Sequence, residues 1–253
     1  MRITTYAELR RFVAAFQQGH IGLLIIEGRG GTGKSETVTR ALPNALVFKG
    51  RASAVAIHNA LSEAPTAKVI LDDIDSLFND KNTVAELKQV CETKEDKLVT
   101  YHTASPLIKR YQFISNNKVI VLCNDLKKVS MDMKALLTRG FHVEFCPSNA
   151  EIVENLKSWA EDEDVIKIVE DVGKTIPLDL RMYKNLCALK DAGMPDWKEY
   201  LHREYGTHPE EELVRKIYKL PTAERNIAWS EATGKSPRTY QRLLKKMLKE
   251  NTI

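Results

Sequence analysis

One eight-residue string constrains this chain more than any bulk property. Gly28-Arg29-Gly30-Gly31-Thr32-Gly33-Lys34-Ser35 fits the pattern G-x-x-x-x-G-K-S. Ahead of it, Gly22-Leu23-Leu24-Ile25-Ile26-Glu27 reads as a buried strand, and behind it Ser35 to Leu42 reads as a helix. Strand, loop and helix in that order are the context the motif requires. The glycines let successive backbone N–H groups turn inward at a helix N-terminus, whose dipole favours an anion. The loop residues and the adjoining Glu36 are therefore expected to surround the phosphates of a nucleoside triphosphate. Lys34 is placed to reach the β- and γ-phosphates, and the Ser35 hydroxyl to ligate Mg²⁺.

Composition sets the frame around that motif. The 253 residues have room for one large domain, or for a core plus a smaller one. Hydrophobic content of 43% and charged content of 28% are those of an ordinary globular protein. No run approaches the ~20 apolar residues of a membrane span, and the N-terminus lacks a signal-peptide core. The expectation is a cytoplasmic protein without a membrane partner. Cys91, Cys123, Cys146 and Cys187 are widely spaced with no C-x-x-C pair, so they are expected as reduced thiols and not as a metal site. From Leu201 onward the chain carries eleven Lys/Arg against seven Asp/Glu, which accounts for the entire net charge of +4. A basic surface confined to one segment is the electrostatic footprint of a nucleic-acid contact.

A second apolar run, Ala67-Lys68-Val69-Ile70-Leu71, ends in Asp72-Asp73. A carboxylate there stands at the C-terminal edge of a parallel strand, where ligands bind in open α/β sheets. Asp72 is expected to hold Mg²⁺ beside Ser35, and Asp73 to polarise an attacking water. A third run, Lys118 to Cys123, ends in Asn124. Beyond it come Ala135-Leu136-Leu137-Thr138-Arg139, a short strand Phe141 to Phe145, and an amphipathic helix opened by Ile176 to Arg181.

In this order the features resemble the AAA+ ATPase family over residues from about 5 to 190. The resemblance implies a Walker A loop at Gly28 to Ser35, a Walker B strand ending at Asp72-Asp73, and a sensor 1 residue at Asn124. It further implies an arginine finger at Arg139, acting in the site of a neighbouring subunit, and a sensor 2 residue at Arg181. The fold implied is α/β, a P-loop core with a parallel five-stranded sheet over residues 1–147. A small helical lid would follow over 148–193 and an all-α helix-turn-helix-like module over 194–253. The roles agree with the chemistry: positive charge must meet the γ-phosphate as the transition state develops, and a neutral polar group must orient water. One departure stands out. The family usually ends Walker B in Asp-Glu, and Asp73 is one methylene shorter, which implies slow turnover.

Elsewhere, Tyr6 to Phe16 reads as a helix with Leu9, Phe12, Val13 and Phe16 on one face, Ala45 to Phe48 as a strand, and Ala54 to Leu61 as a short helix. Residues 95–117 leave two readings open. Lys109, Arg110 and Tyr111 would touch a nucleic-acid backbone, or an edge hairpin would pack Tyr111 and Phe113 onto the core. Asn149 to Ala160 and Val165 to Val172 read as helices.

In the C-terminal segment, Glu210 to Lys219 and Thr222 to Ala232 read as helices. Thr233-Gly234 forms a turn, and Ser236 caps a helix with Pro237 at its first position. There Tyr240, Leu243, Leu244, Met247 and Leu248 form an apolar stripe, opposite Arg238, Arg242, Lys245, Lys246 and Lys249. The segment resembles helix-turn-helix modules of replication and mobile-element proteins. Lys235, Ser236, Arg238, Thr239, Arg242, Lys245 and Lys246 are the residues expected on DNA, several of them on phosphate alone. Together these features suggest an oligomeric ATPase, a ring or filament, that uses ATP and Mg²⁺ and engages DNA in replication or transposition. A helicase, transposase or clamp is the implied protein partner. The rival readings are a clamp-loader-like subunit and an ATP-gated DNA-binding switch with little hydrolysis.

Overall fold

The computed structural model describes residues 1–50, 52–73, 80–94, 96–126, 131–204 and 209–249, the side chains of 131–133, 202, 203, 209, 212 and 249 excepted. The charge at Lys249 counted on the basic face lies outside what is described. Two compact units divide the chain: residues 1–161 with 178–181, and residues 162–177 with 182–253.

The first unit runs β1 (Arg2–Ile3), α1 (Tyr6–Gln17), β2 (Leu23–Glu27), α2 (Lys34–Ala41), β3 (Leu46–Lys49), α3 (Ala54–Glu63), β4 (Lys68–Asp72) and α4 (Lys81–Val90). It continues with β5 (Lys97–Thr100), β6 (Gln112–Ser115), β7 (Lys118–Cys123), α5 (Met131–Leu137), β8 (Phe141–Phe145) and α6 (Asn149–Lys157). Six strands form one sheet in the order β1-β8-β2-β7-β4-β3, every pair parallel. The sequence predicts five strands; the sixth is the two-residue β1 on the edge, too short to show a period. The fold class is otherwise the expected one, α/β with a parallel sheet whose second strand leads through the glycine-rich loop into a helix.

Strands β2, β4 and β7 are apolar on both faces because helices cover both. Leu23, Ile25, Val69, Leu71, Val119 and Val121 pack against Ile57 and Leu61 of α3 and Leu87 and Val90 of α4. The alternate residues Leu24, Ile26, Ile70, Ile120 and Leu122 pack against Leu9, Val13 and Phe16 of α1 and Val38 of α2. Helix α1 begins with a complete capping box between Thr5 and Glu8. Helix α4 has no counterpart in the sequence reading. It starts at Asp80, whose carboxylate accepts from the N–H groups of Asn82 and Thr83.

Within residues 96–117 there is a hairpin: β5 and β6 pair antiparallel, with Leu98 opposite Ile114. Phe113 enters the core, but Tyr111 is 57% exposed, contrary to the expected packing of both rings. Alternation would put residues 111 and 113 on one face only if both lay in the strand, and Tyr111 precedes β6. The hairpin loop is tied to α3. Asn59 donates to Leu107 O at 2.8 Å and accepts from Lys109 N at 2.9 Å, while Lys109 pairs with Glu63.

The second unit is helical. Asp162 caps α7 (Glu163–Val172) and accepts a 2.6 Å bond from Lys190 of α8 (Leu180–Asp191). After α9 (Tyr200–Glu204) come α10 (Pro209–Ile217), α11 (Thr222–Thr233) and α12 (Pro237–Lys249). These last three close around Val214, Ile217, Trp229, Tyr240 and Met247. The Trp229 and Tyr240 rings meet edge-on, with centroids 5.5 Å apart. None of the four cysteines is in a disulfide, and among the described residues no helix is long and apolar enough to cross a membrane.

Candidate functional site

The loop from Gly28 to Ser35 joins the C-terminal end of β2 to the N-terminus of α2. Gly31 and Gly33 hold φ of +75° and +79°, a conformation that favours glycine. Space forbids a side chain at both. A Cβ on Gly31 would collide with the Asp179 carboxylate, and one on Gly33 would lie 2.8 Å from Leu180 Cδ1. The loop is fixed from three sides. Gly28 N donates to Cys123 O at 3.1 Å. The buried Tyr6 hydroxyl donates to Thr32 O at 2.7 Å. Arg29 Nη2 donates to Leu178 O, and Leu180 N to Gly31 O at 2.9 Å. Burial and the nearby charge of Glu151 raise the Tyr6 phenol well above its ordinary pKa, so it remains a donor.

Lys34 is 6% exposed, and its ammonium donates to the carbonyls of Gly28 and Arg29. Burial lowers its pKa. Cys123, Asp73 and Asp72 oppose that shift, and the field of Arg181 adds to it. The Ser35 hydroxyl donates to Asp72 Oδ1 at 2.8 Å, so the loop and the end of β4 meet directly. Asp72 is 7% exposed, and Lys49 Nζ lies 3.6 Å from its other oxygen. A hydroxyl and a carboxylate side by side are the hard oxygen donors that suit Mg²⁺, which also takes phosphate and water oxygens. Among the described residues there is no cluster of three or more His, Cys, Asp or Glu suited to a metal.

Asp73 has φ +56° and accepts from Asn124 Nδ2 at 3.0 Å. Asn124 Oδ1 in turn lies 3.7 Å from where a Cβ on Gly30 would stand. The ends of β4 and β7 therefore converge on the loop because β7 lies between β2 and β4. Arg181 is largely exposed, with Nη1 3.9 Å from Asp179 Oδ2. Glu36, expected at this place, is not brought to it, and Arg139, expected to act in a neighbouring subunit, is remote from it. Glu36 points outward and pairs with Arg40 at 2.9 Å. Arg139 lies before β8, at the opposite end of the sheet, and donates to Lys88 O at 2.7 Å. Lys49, Tyr6 and Asp179 have no motif in the sequence. Only Lys49 carries a signal there, its position at the end of a strand, and that signal needs the Lys49–Asp72 register to be known.

In the second unit, α11 ends on Gly234 at φ +67°, and Lys235-Ser236 lead into α12. Arg238, Arg242 and Lys245 are exposed along one side of α12. Lys235 pairs with Glu210, and Lys246 lies 3.6 Å from Glu211. Ser236 Oγ and Thr239 Oγ1 are 3.4 Å apart.

No protein-family model and no curated protein matches the chain. Among solved structures, it is similar to a chain in the structure of Drosophila ORC bound to DNA. That match has 15% identity and a TM-score of 0.49, and covers 96% of this chain and 78% of that one. It is also similar to NtrX from Brucella abortus in complex with ATP, at 17% identity and a TM-score of 0.46, covering 95% of this chain and 67% of that one.

Proposed function

We propose that this protein is a Mg²⁺-dependent ATPase of the AAA+ type that assembles into oligomers and engages DNA through its C-terminal helices. The observation that carries the nucleotide reading is the 2.8 Å bond from Ser35 to Asp72, which joins the phosphate loop to the acidic strand end. Ser35 and Asp72 would hold Mg²⁺, which neutralises charge on the transferred phosphoryl group when bound. Lys34 would leave the two carbonyls it now meets for the phosphate oxygens. Asp73 and Asn124 would together position water. Arg181 would approach the γ-phosphate from the start of α8, and Arg139 would serve the site of a neighbouring copy. The helix-turn-helix reading of α11 and α12 is supported by the three-residue link and by the exposed Arg238, Arg242 and Lys245. A role in replication or transposition follows from the sequence resemblance alone.

A second reading, a nucleotide-gated DNA-binding switch with little turnover, is favoured by one observation. The Asp73 carboxylate is short and already engaged by Asn124. ATP hydrolysis measured with and without duplex and single-stranded DNA, for the unsubstituted chain and for Arg139→Ala, separates the two. The motor reading expects stimulation by DNA and a loss of about 10³-fold or more in Arg139→Ala, with ATP binding retained. A rate that ignores both DNA and the substitution sinks it.

A further inference from the structure

At the end of the sheet away from the phosphate loop, a cavity of about 600 Å³ opens beside the first residues of β2, β5, β7 and β8. Four cations line it, Lys94 exposed at the rim and three that are wholly or partly buried. Lys97, 8% exposed, donates to Val90 O at 2.7 Å and to Asn117 O at 3.1 Å. Lys118 donates to Gly19 O. A Cβ on Gly19, at φ +90°, would stand 2.7 Å from that ammonium, so the lysine reaches this place only because residue 19 is glycine. Arg139 donates to Lys88 O. Each of these three thus meets backbone carbonyls, and among the described residues none of them forms an ion pair.

Their fields overlap. Burial lowers the Lys97 pKa, and Lys118 adds to that shift against Cys91 and Glu92. Burial raises the Cys91 thiol to about 12, opposed by both Lys97 and Arg139. The acidic groups Glu92 and Asp96 sit on the exposed rim, where Asp96 accepts from Asn116 at 3.0 Å. An ammonium has three N–H groups and a guanidinium five, so each of the three cations keeps donors beyond its backbone bonds. Partly buried cations without a carboxylate are costly unless an anion completes them. Beside them Phe141, 56% exposed, supplies an apolar wall.

We propose that this cavity is a second anion site, in which Lys118 and Arg139 hold a phosphate group and Lys97 supplies fixed charge behind them. For a free phosphate compound the site stands whether or not the glycine-rich loop binds ATP; for a nucleotide on a second copy it rests on the proposed function. The phosphate belongs either to a free phosphate compound or to a nucleotide carried by a second copy.

The test uses the full chain with Lys34→Ala, so that the loop contributes no phosphate binding, and titrates it calorimetrically with pyrophosphate. A free ligand gives saturable binding that Lys118→Met weakens about tenfold or more and Lys118→Arg restores. A phosphate on a second copy gives no pyrophosphate binding. Instead, ATP-driven self-association of the unsubstituted chain is lost in Lys118→Met and kept in Lys118→Arg, while ATP still binds at the loop. Absence of both results overturns the proposal. Failure of the unsubstituted chain to bind ATP overturns the nucleotide reading and leaves the pyrophosphate titration to decide the cavity.

Discussion

His58 and Glu86 hold one proton between them in the folded chain. His58 Nε2 lies 2.7 Å from the Arg110 carbonyl and must donate to it. Its Nδ1, 2.7 Å from Glu86 Oε1, is then an acceptor in the neutral ring, so the carboxyl is the donor. Burial drives both shifts, raising Glu86 to about 8 and lowering His58. Unfolded, the two groups carry two protons below the carboxyl's ordinary value of 4.5, one up to the imidazole's 6.5, and none above. A raised carboxyl contributes stability at low pH that is lost as pH rises, and the lowered imidazole offsets that loss up to 6.5. Stability from the pair should therefore be level between 4.5 and 6.5, then fall as pH rises toward 8. Glu86→Gln keeps a donor to Nδ1 without ionising. Urea unfolding at pH 6.5 and pH 8 should show the fall in the unsubstituted chain and its absence in Glu86→Gln; equal falls would discard the assignment. Nothing in the sequence pairs residues 58 and 86, because the contact exists only once α3 and α4 lie on one face of the sheet.

Elements were legible in proportion to how self-contained they are. Helix α12 announces itself through Pro237 at its first turn and an apolar stripe, and the structure places Tyr240 and Met247 in its core. Helix α4 is hidden because Val84, Leu87 and Val90 are diluted among charged neighbours and its cap is a single Asp80. At the α11–α12 link, Gly234 has open space where a Cβ would go and yet φ +67°. Gly234→Ala should thus cost about 1 kcal/mol of stability through backbone strain alone, measured by denaturant titration. On α12 the acidic residues of α10 divide the basic set. Arg238→Ala and Arg242→Ala should each weaken DNA binding uniformly across sequences and lower its salt slope by about 1. Lys235→Ala and Lys246→Ala should do less, since Glu210 and Glu211 already meet those lysines. Equal effects from all four would place the nucleic-acid surface elsewhere.

For the whole molecule, Arg139 lies at the opposite end of its own sheet from Lys34, so a shared site requires a second copy. Sedimentation of the unsubstituted chain should therefore show larger species on addition of ATP and Mg²⁺, and Lys34→Ala should not respond; an unchanged monomer with bound ATP would remove the trans role. The sequence by itself determined the glycine-rich loop, the apolar strands that flank it and the capped C-terminal helix. Each of those rests on periodicity, glycine and capping chemistry within a few neighbouring residues. Tertiary structure decided which groups meet across the chain. The parallel order β2-β7-β4 carries Asp72 to Ser35, the β3–β4 register carries Lys49 to Asp72, and the turn into α8 lays Asp179 on Gly31. It also gathers Lys97, Lys118 and Arg139 at one cavity. Such meetings depend on strand order and register, which long-range burial selects and no local pattern encodes.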